Sequence, residues 1–218
     1  MSKYRIQYSQ DDRVKFISHL DFLRTVNRIF ERSKLPLKFS NGFNPHTIMT
    51  IGLPLSVGTT SICDVLDIEL TEDMDTAYMR ELLNKNSPDG IRFLKIRNAE
   101  NLKPLFNIDS AIYIARFDSN KEIDIASFAA EESIIIEKKS KRGMKEVNIK
   151  DFIRDMKQVD ADDFMYAAEM HLNAGNFSNI KPELVLSTLA EYCGAEFFNI
   201  NINREKIFFE DGSGVFDE

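Results

Sequence analysis

Hydrophobic residues recur at every second position in residues 4–8 (YRIQY), at helical spacing from Phe16 to Ser33, and at every second position again from Leu66 to Leu70 in residues 63–70 (CDVLDIEL). A period of two buries one face of a strand and a period of 3.6 buries one stripe of a helix, so each switch of period marks a new element. In the helical run Ile17, Leu20, Leu23, Val26 and Phe30 share the spacing, with Ile29 alongside. After Leu35-Pro36, two apolar strand-like pieces flank a polar loop in LKFSNGFNPHTIMTIGLPLSVGTTS. Thr71 to Asn86 again has helical spacing through Met74, Tyr78, Met79, Leu82 and Leu83, stopped by Ser87-Pro88-Asp89-Gly90, and residues 91–97 (IRFLKIR) form a strand.

The resulting order, β-α-β-β-α-β over residues 1–98, is the split βαβ pattern of a ferredoxin-like unit. The polar stretch 98–107 reads as a linker. The second half, residues 108–218, starts again with strands at 111–117 and 133–139 around a short helix at 123–132. A further strand is expected at 144–149, a helical or irregular piece at 151–158, a strand at 164–172, a helix at 182–193 stopped by Gly194, and one or two strands in 196–209. The expected fold class is therefore α+β, with two tandem ferredoxin-like units, the second degenerate.

The chain has 218 residues, 43% of them hydrophobic, with 15 Gly and Pro together, two Cys and no Trp, which sets aside disordered, collagen-like and disulfide-scaffold classes. The start, MSKYRIQYSQDDRVKF, lacks an apolar leader, and no later run approaches the ~18–20 apolar residues that span a bilayer, so a cytoplasmic protein with no membrane partner is expected. Cys63 and Cys193 lie in no CxxC or Cys/His cluster, so no metal or other cofactor is expected, and buried free thiols are the plain reading.

Net charge is −7, but residues 1–61 hold nine Lys and Arg against four acids, a local +5. Arg24, Arg28 and Arg32 follow at i, i+4 and i+8 and so line one stripe of the first helix. Such a stripe serves as a wet helix face or as a phosphate-binding surface, since a guanidinium offers two donors to phosphate oxygens. Lys38 and the loop Ser40, Asn41, Gly42, Phe43, Asn44, Pro45 and His46 follow it directly. Gly42 permits positive φ, Pro45 keeps Asn44 extended, and the short polar side chains can hold a turn by bonding to backbone. A second basic cluster, Lys138, Lys139, Lys141, Arg142 and Lys145, reads equally as solvated charge or as a landing surface for an anion.

Nucleotide-triphosphate, dinucleotide, zinc-protease and hydrolase motifs are absent. The catalytic candidates are His19, Asp21 and His46, with imidazoles as acid or base and Asp21 as orienter. Asp64 and Asp67, three apart, fall on opposite faces of their strand and are expected to pair with Arg or loop amides. Arg204 and Lys206 share a face if their strand is regular.

The block FISHLDFLRTVNRIFERSKLPLKFSNGFNPHTIMTIGLPLSVGTTS resembles the hallmark segment of the radical-SAM-linked family of bacterial proteins, a domain of unknown function. The match runs through Ser18, His19, Leu20, Asp21, Arg28, Leu35, Pro36, Ser40, Gly42 to His46, Leu53, Pro54, Gly58 and Ser61. SKRGMKEVNI, IKPELVL and INREKIFF resemble later landmarks of the family. The resemblance implies an accessory protein working beside a radical-SAM enzyme. The chain is not that enzyme, since two separated cysteines cannot hold a cluster that needs three. Joined to the basic helix and loop, this gives the expected role: binding RNA, tRNA or rRNA rather than DNA, or presenting it to a modification enzyme. The contact residues would be Arg24, Arg28, Arg32, Lys38 and the loop from Ser40 to His46. The alternatives are a protein–protein adaptor that does not touch RNA and a His-dependent RNA-processing enzyme.

Overall fold

The computed structural model describes residues 2–140 and 143–216, with residues 138–140 described by backbone alone. The chain is mixed α+β, with four α-helices among the described residues. It divides into two compact units, Met1–Ile108 with Phe209–Glu218, and Asp109–Phe208.

The first unit runs β1 (Ser2–Gln10), α1 (His19–Arg32), β2 (Met49–Ile51), β3 (Thr59–Leu70), α2 (Thr76–Asn86) and β4 (Ile91–Asn98). Its strands lie in the order β4-β1-β3-β2, every neighbouring pair antiparallel. Alternation puts Tyr4, Ile6 and Tyr8 of β1 on one face with Leu66, Ile68 and Leu70 of β3, and these pack with Phe22, Val26, Ile29 and Phe30 of α1 and Met79 and Leu83 of α2. On the other face of β1, Arg5 is fully buried directly across from Asp67. Its guanidinium donates Nε to Asp67 Oδ1 at 2.8 Å, and Nη2 to Asp67 Oδ2 at 3.0 Å and to the carbonyl of Lys103 at 2.7 Å. The segment expected as a linker thus helps cover this face, with Ala99 and Leu105 buried.

Both helices of this unit begin later than the hydrophobic period suggests, because capping side chains fix the start. Ser18 Oγ accepts from Asp21 N at 3.1 Å and Asp75 from Tyr78 N at 2.8 Å. Phe16, expected at the head of α1, therefore lies outside the helix and is exposed; Leu20, inside its first turn, is exposed too, and the buried stripe starts at Phe22. At the other end Lys34 N donates to Glu31 O at 3.0 Å and Leu35 N to Phe30 O at 3.5 Å. This is a Schellman-type stop, with Lys34 at φ 52° in the left-handed position usually held by glycine.

The second unit contains β5 (Ile108–Ser119), α3 (Ile125–Ala130), β6 (Ile135–Ser140), β7 (Gly143–Asn148), a short 3₁₀ turn (Ile149–Phe152), β8 (Ile153–Gln158), β9 (Tyr166–Asn173), α4 (Pro182–Cys193) and β10 (Phe197–Phe209). Its strand order is β10-β5-β9-β8, while β6 and β7 pair with each other in a separate ribbon. Residues 151–158, expected to be helical or irregular, are largely strand β8. β8 lies at the end of the order and buries only Met156 of its six residues, so its side chains show no two-residue hydrophobic period. Gly194 stops α4 at φ 59° as expected. Among the described residues no helix is long and apolar enough to cross a membrane.

Candidate functional site

Arg24, Arg28 and Arg32 stand exposed on α1, on the side away from Phe22, Val26, Ile29 and Phe30. Their surroundings differ. Arg24 Nη1 donates to Asp21 Oδ1 at 2.9 Å, in an exposed pair. Asp21 also accepts from Ser18 Oγ at 2.7 Å, and these two bonds, Ser18 first and Arg24 second, hold its carboxyl below the usual range. Asp21 thus stands at the third helical position, its backbone N–H capped by Ser18 Oγ and its carboxylate oxygens facing the Ser18 hydroxyl and Arg24. Arg28 has no carboxylate partner among the described residues, and Arg32 donates Nε to the Arg28 carbonyl at 3.2 Å. Lys38 is drawn onto β3 by Glu69 at 2.5 Å, so its charge is already matched.

The polar loop is closed at its neck. Ser40 N donates to the carbonyl of His46 at 2.8 Å, His46 N donates to Ser40 Oγ at 3.1 Å, and Ser40 Oγ lies 2.8 Å from His46 Nδ1. Oγ thus makes two of the three contacts, accepting from the His46 backbone and reaching Nδ1 of its ring. Ser40 does the work expected of several side chains: Asn41 and Asn44 make no side-chain hydrogen bond among the described residues. Residues 41–46 are all exposed, Phe43 completely, and Gly42 takes φ 126°. His19 is exposed at the start of α1 and lines a narrow cleft with Tyr8, Gln10, Ser18, Phe22 and Ser56 that contains none of residues 40–46.

Elsewhere the titratable residues serve the fold. Asp67 is buried between Arg5 and Lys3, the latter at 3.0 Å. Asp64, also buried, accepts from Ser61 Oγ at 2.5 Å and Gln10 Nε2 at 2.9 Å. Arg204 is buried while Lys206 is exposed, because the burial alternation of β10 slips between Arg204 and Ile207, so the expected shared face does not form. His171 Nε2 lies 2.9 Å from Ser110 Oγ, and burial first, then the charge of Arg154, lower its pKa. Cys63 and Cys193 are free thiols, buried and half-buried. Among the described residues no group of three or more His, Cys, Asp or Glu side chains is placed to hold a metal ion. In the second basic cluster, Lys141 and Arg142 lie outside the described residues; the ribbon register sets Lys138 opposite Lys145.

Two cations absent from the sequence-derived set stand at the end of the arginine stripe. Lys34 follows α1 and Lys85 lies in the last turn of α2, and both line an open cleft with Arg32. The sequence signal was weak: Lys34 occupies the place where a helix-stopping glycine is usual, and Lys85 is 51 positions further on.

No curated protein matches the chain. Among solved structures it is similar to one described as the crystal structure of an unknown protein from Galdieria sulphuraria, with 12% identity over 93% of this chain and 98% of that one, at a TM-score of 0.28. A family model described as "uncharacterized protein conserved in bacteria (DUF2344)" matches residues 3–182, and the chain belongs to that family.

Proposed function

We propose that this protein is a non-catalytic RNA-binding accessory protein that takes tRNA or rRNA on the exposed face of α1 and presents it to a modification enzyme of the radical-SAM class. The observation that carries the reading is the stripe itself: in a chain of net charge −7, Arg28 and Arg32 stand exposed with no carboxylate partner among the described residues. Of the nine cations in residues 1–61 six meet carboxylates, so an unmatched pair on one helix face suits an anionic polymer. The exposed loop from Asn41 to His46, with Phe43 at its tip, adds a ring that can stack on an unpaired base.

The fold reading belongs to the same proposal. The orders β4-β1-β3-β2 and β10-β5-β9-β8 correspond position by position when the β6–β7 ribbon is set aside as an insertion, which supports two ferredoxin-like units in tandem. A His-dependent enzyme draws no support from the geometry, since Asp21 is engaged by Ser18 and Arg24 and the cleft beside His19 excludes His46. The test is fluorescence anisotropy of total tRNA and of rRNA fragments with the full chain. Arg28→Ala and Arg32→Ala are expected to weaken binding, each lowering the salt slope by roughly 0.7–0.9. Unchanged affinity and slope in the double variant would refute the reading, as would a nuclease-resistant protein partner recovered with no RNA enrichment.

A further inference from the structure

The arginine stripe runs into a cleft between the C-terminal end of α1 and helix α2, with a volume of about 430 Å³, within the ~300–1,000 Å³ of small-molecule sites. Its chemistry is sorted. Tyr78, with 54% of its surface exposed, and Leu82 give an aromatic and aliphatic wall from α2. Arg32, Lys34 and Lys85 supply positive charge, and none of the three has a carboxylate partner among the described residues. Two carboxylates complete the lining: Asp73 accepts from Ser2 Oγ, while Glu72, exposed and without a hydrogen-bond partner among the described residues, adds a free acceptor against the three cations. A planar ring, cations and an unmet acceptor are what an unstacked nucleotide needs: a face for the base, donors for the phosphates and an acceptor for an exocyclic amino group.

The backbone at Lys34 supplies an independent observation. The residue that ends a helix in the left-handed region is usually glycine, because a side chain there is strained. Lys34 holds φ 52° with its Cβ in place, so the chain carries local strain where glycine would relieve it. Asp162 and Asn199 share this φ, but of the three only Lys34 lines the cleft, which is the reason to look for a use of its side chain there.

We infer that this cleft receives one unstacked, amino-bearing nucleotide of single-stranded RNA, its base against Tyr78 and its phosphates on Arg32, Lys34 and Lys85. The inference rests on the RNA reading above and sharpens it from RNA in general to a strand with at least one splayed base. A duplex, with its bases stacked inside, cannot fill the cleft.

The experiment uses the full chain with short labelled oligocytidylate and oligouridylate, over a range of salt. Oligocytidylate is expected to bind more tightly, and Glu72→Gln to narrow the difference. Tyr78→Ala should lose roughly tenfold in affinity with an unchanged salt slope, and Tyr78→Phe, which keeps the ring, should bind like the parent. Lys34→Gly should raise the melting temperature while lowering affinity and reducing the slope by about 0.7. The inference is overturned if Tyr78→Ala and Lys34→Gly bind both oligonucleotides like the parent while Arg28→Ala weakens them; the RNA reading then stands and the cleft is not part of it. If the parent binds neither oligonucleotide nor tRNA nor rRNA, the RNA reading itself fails.

Discussion

Removing the carboxylate of Asp67 tests how the first unit tolerates charge in its interior. Arg5 is fully buried and Asp67 is 3% exposed, so Asp67→Ala leaves a guanidinium out of water with the Lys103 carbonyl as its one remaining hydrogen-bond acceptor among the described residues. Breaking a buried pair from one side costs about 3–5 kcal/mol, a large share of a typical domain's ~5–15 kcal/mol. At several degrees per kcal/mol, the first unit should melt roughly 10 °C or more below the parent, read by circular dichroism at neutral pH. The paired change Arg5→Met with Asp67→Leu separates charge from shape. Arg5 Nη1 is buried without a hydrogen-bond partner among the described residues even in the parent, so the pair is incompletely satisfied, and an apolar replacement should come within about 1–2 kcal/mol of the parent or exceed it. Lys3, 37% exposed, can return to water when Asp67 is gone. A shift below about 1 kcal/mol for Asp67→Ala would refute the reasoning, and so would a double variant as unstable as the single one.

Two further outcomes follow from local geometry. Gly90 holds φ 99°, and a Cβ there would stand 2.7 Å from Val14 Cγ1, so Gly90→Ala should destabilise the first unit by about 2 kcal/mol in denaturant unfolding; a neutral result would mean that the Asp11–Val14 turn moves aside freely. His171 has its pKa lowered below the ordinary 6.5 in the folded protein, chiefly by burial, so the unfolded chain binds the proton more readily. Its contribution is complete above the unfolded value and is lost as pH falls from about 6.5 through the lower folded value. His171→Gln should flatten that part of a melting-temperature profile, and an unchanged profile would place the dependence elsewhere.

Elements with a long, one-sided hydrophobic period were legible in the sequence, and those whose form depends on a distant partner were not. α1 was visible from Val26, Ile29 and Phe30, yet its start was set by Ser18, whose capping bond competes with a period that continues back to Phe16. β8 was illegible because a strand with only Met156 buried carries little hydrophobic signal. The arginine stripe followed from i, i+4 spacing alone. The polar loop was visible as a loop, but its closure by Ser40 and His46 could not be told from closure by Asn41 or Asn44, since all four are capable donors or acceptors. The cleft at Lys34 joins residues from two helices, and nothing local in the sequence links Arg32 to Tyr78 or Lys85.

Charge counting in the first 61 residues exaggerates the surface available to a phosphate chain. Six of their nine cations, Lys3, Arg5, Arg13, Lys15, Arg24 and Lys38, meet carboxylates in the folded protein. Three of the acids involved, Asp67, Glu69 and Asp89, come from beyond residue 61 and were absent from the local sum. Arg28, Arg32 and Lys34 remain without a carboxylate among the described residues. Arg24 can be added, because an exposed pair such as Arg24–Asp21 is weak and exchanges readily for a phosphate. Lys85 joins them at the cleft. Five contacts on a single strand give a slope of log affinity against log salt near −3.5, by about 0.7 each, whereas nine would give about −6. Anisotropy titrations from low to moderate salt discriminate these values. A slope near −6 would mean that the pairs on Lys15, Arg13 and Lys38 open on binding and that the contact spreads well beyond α1, while a slope near zero would leave the unmatched arginines without a phosphate to meet.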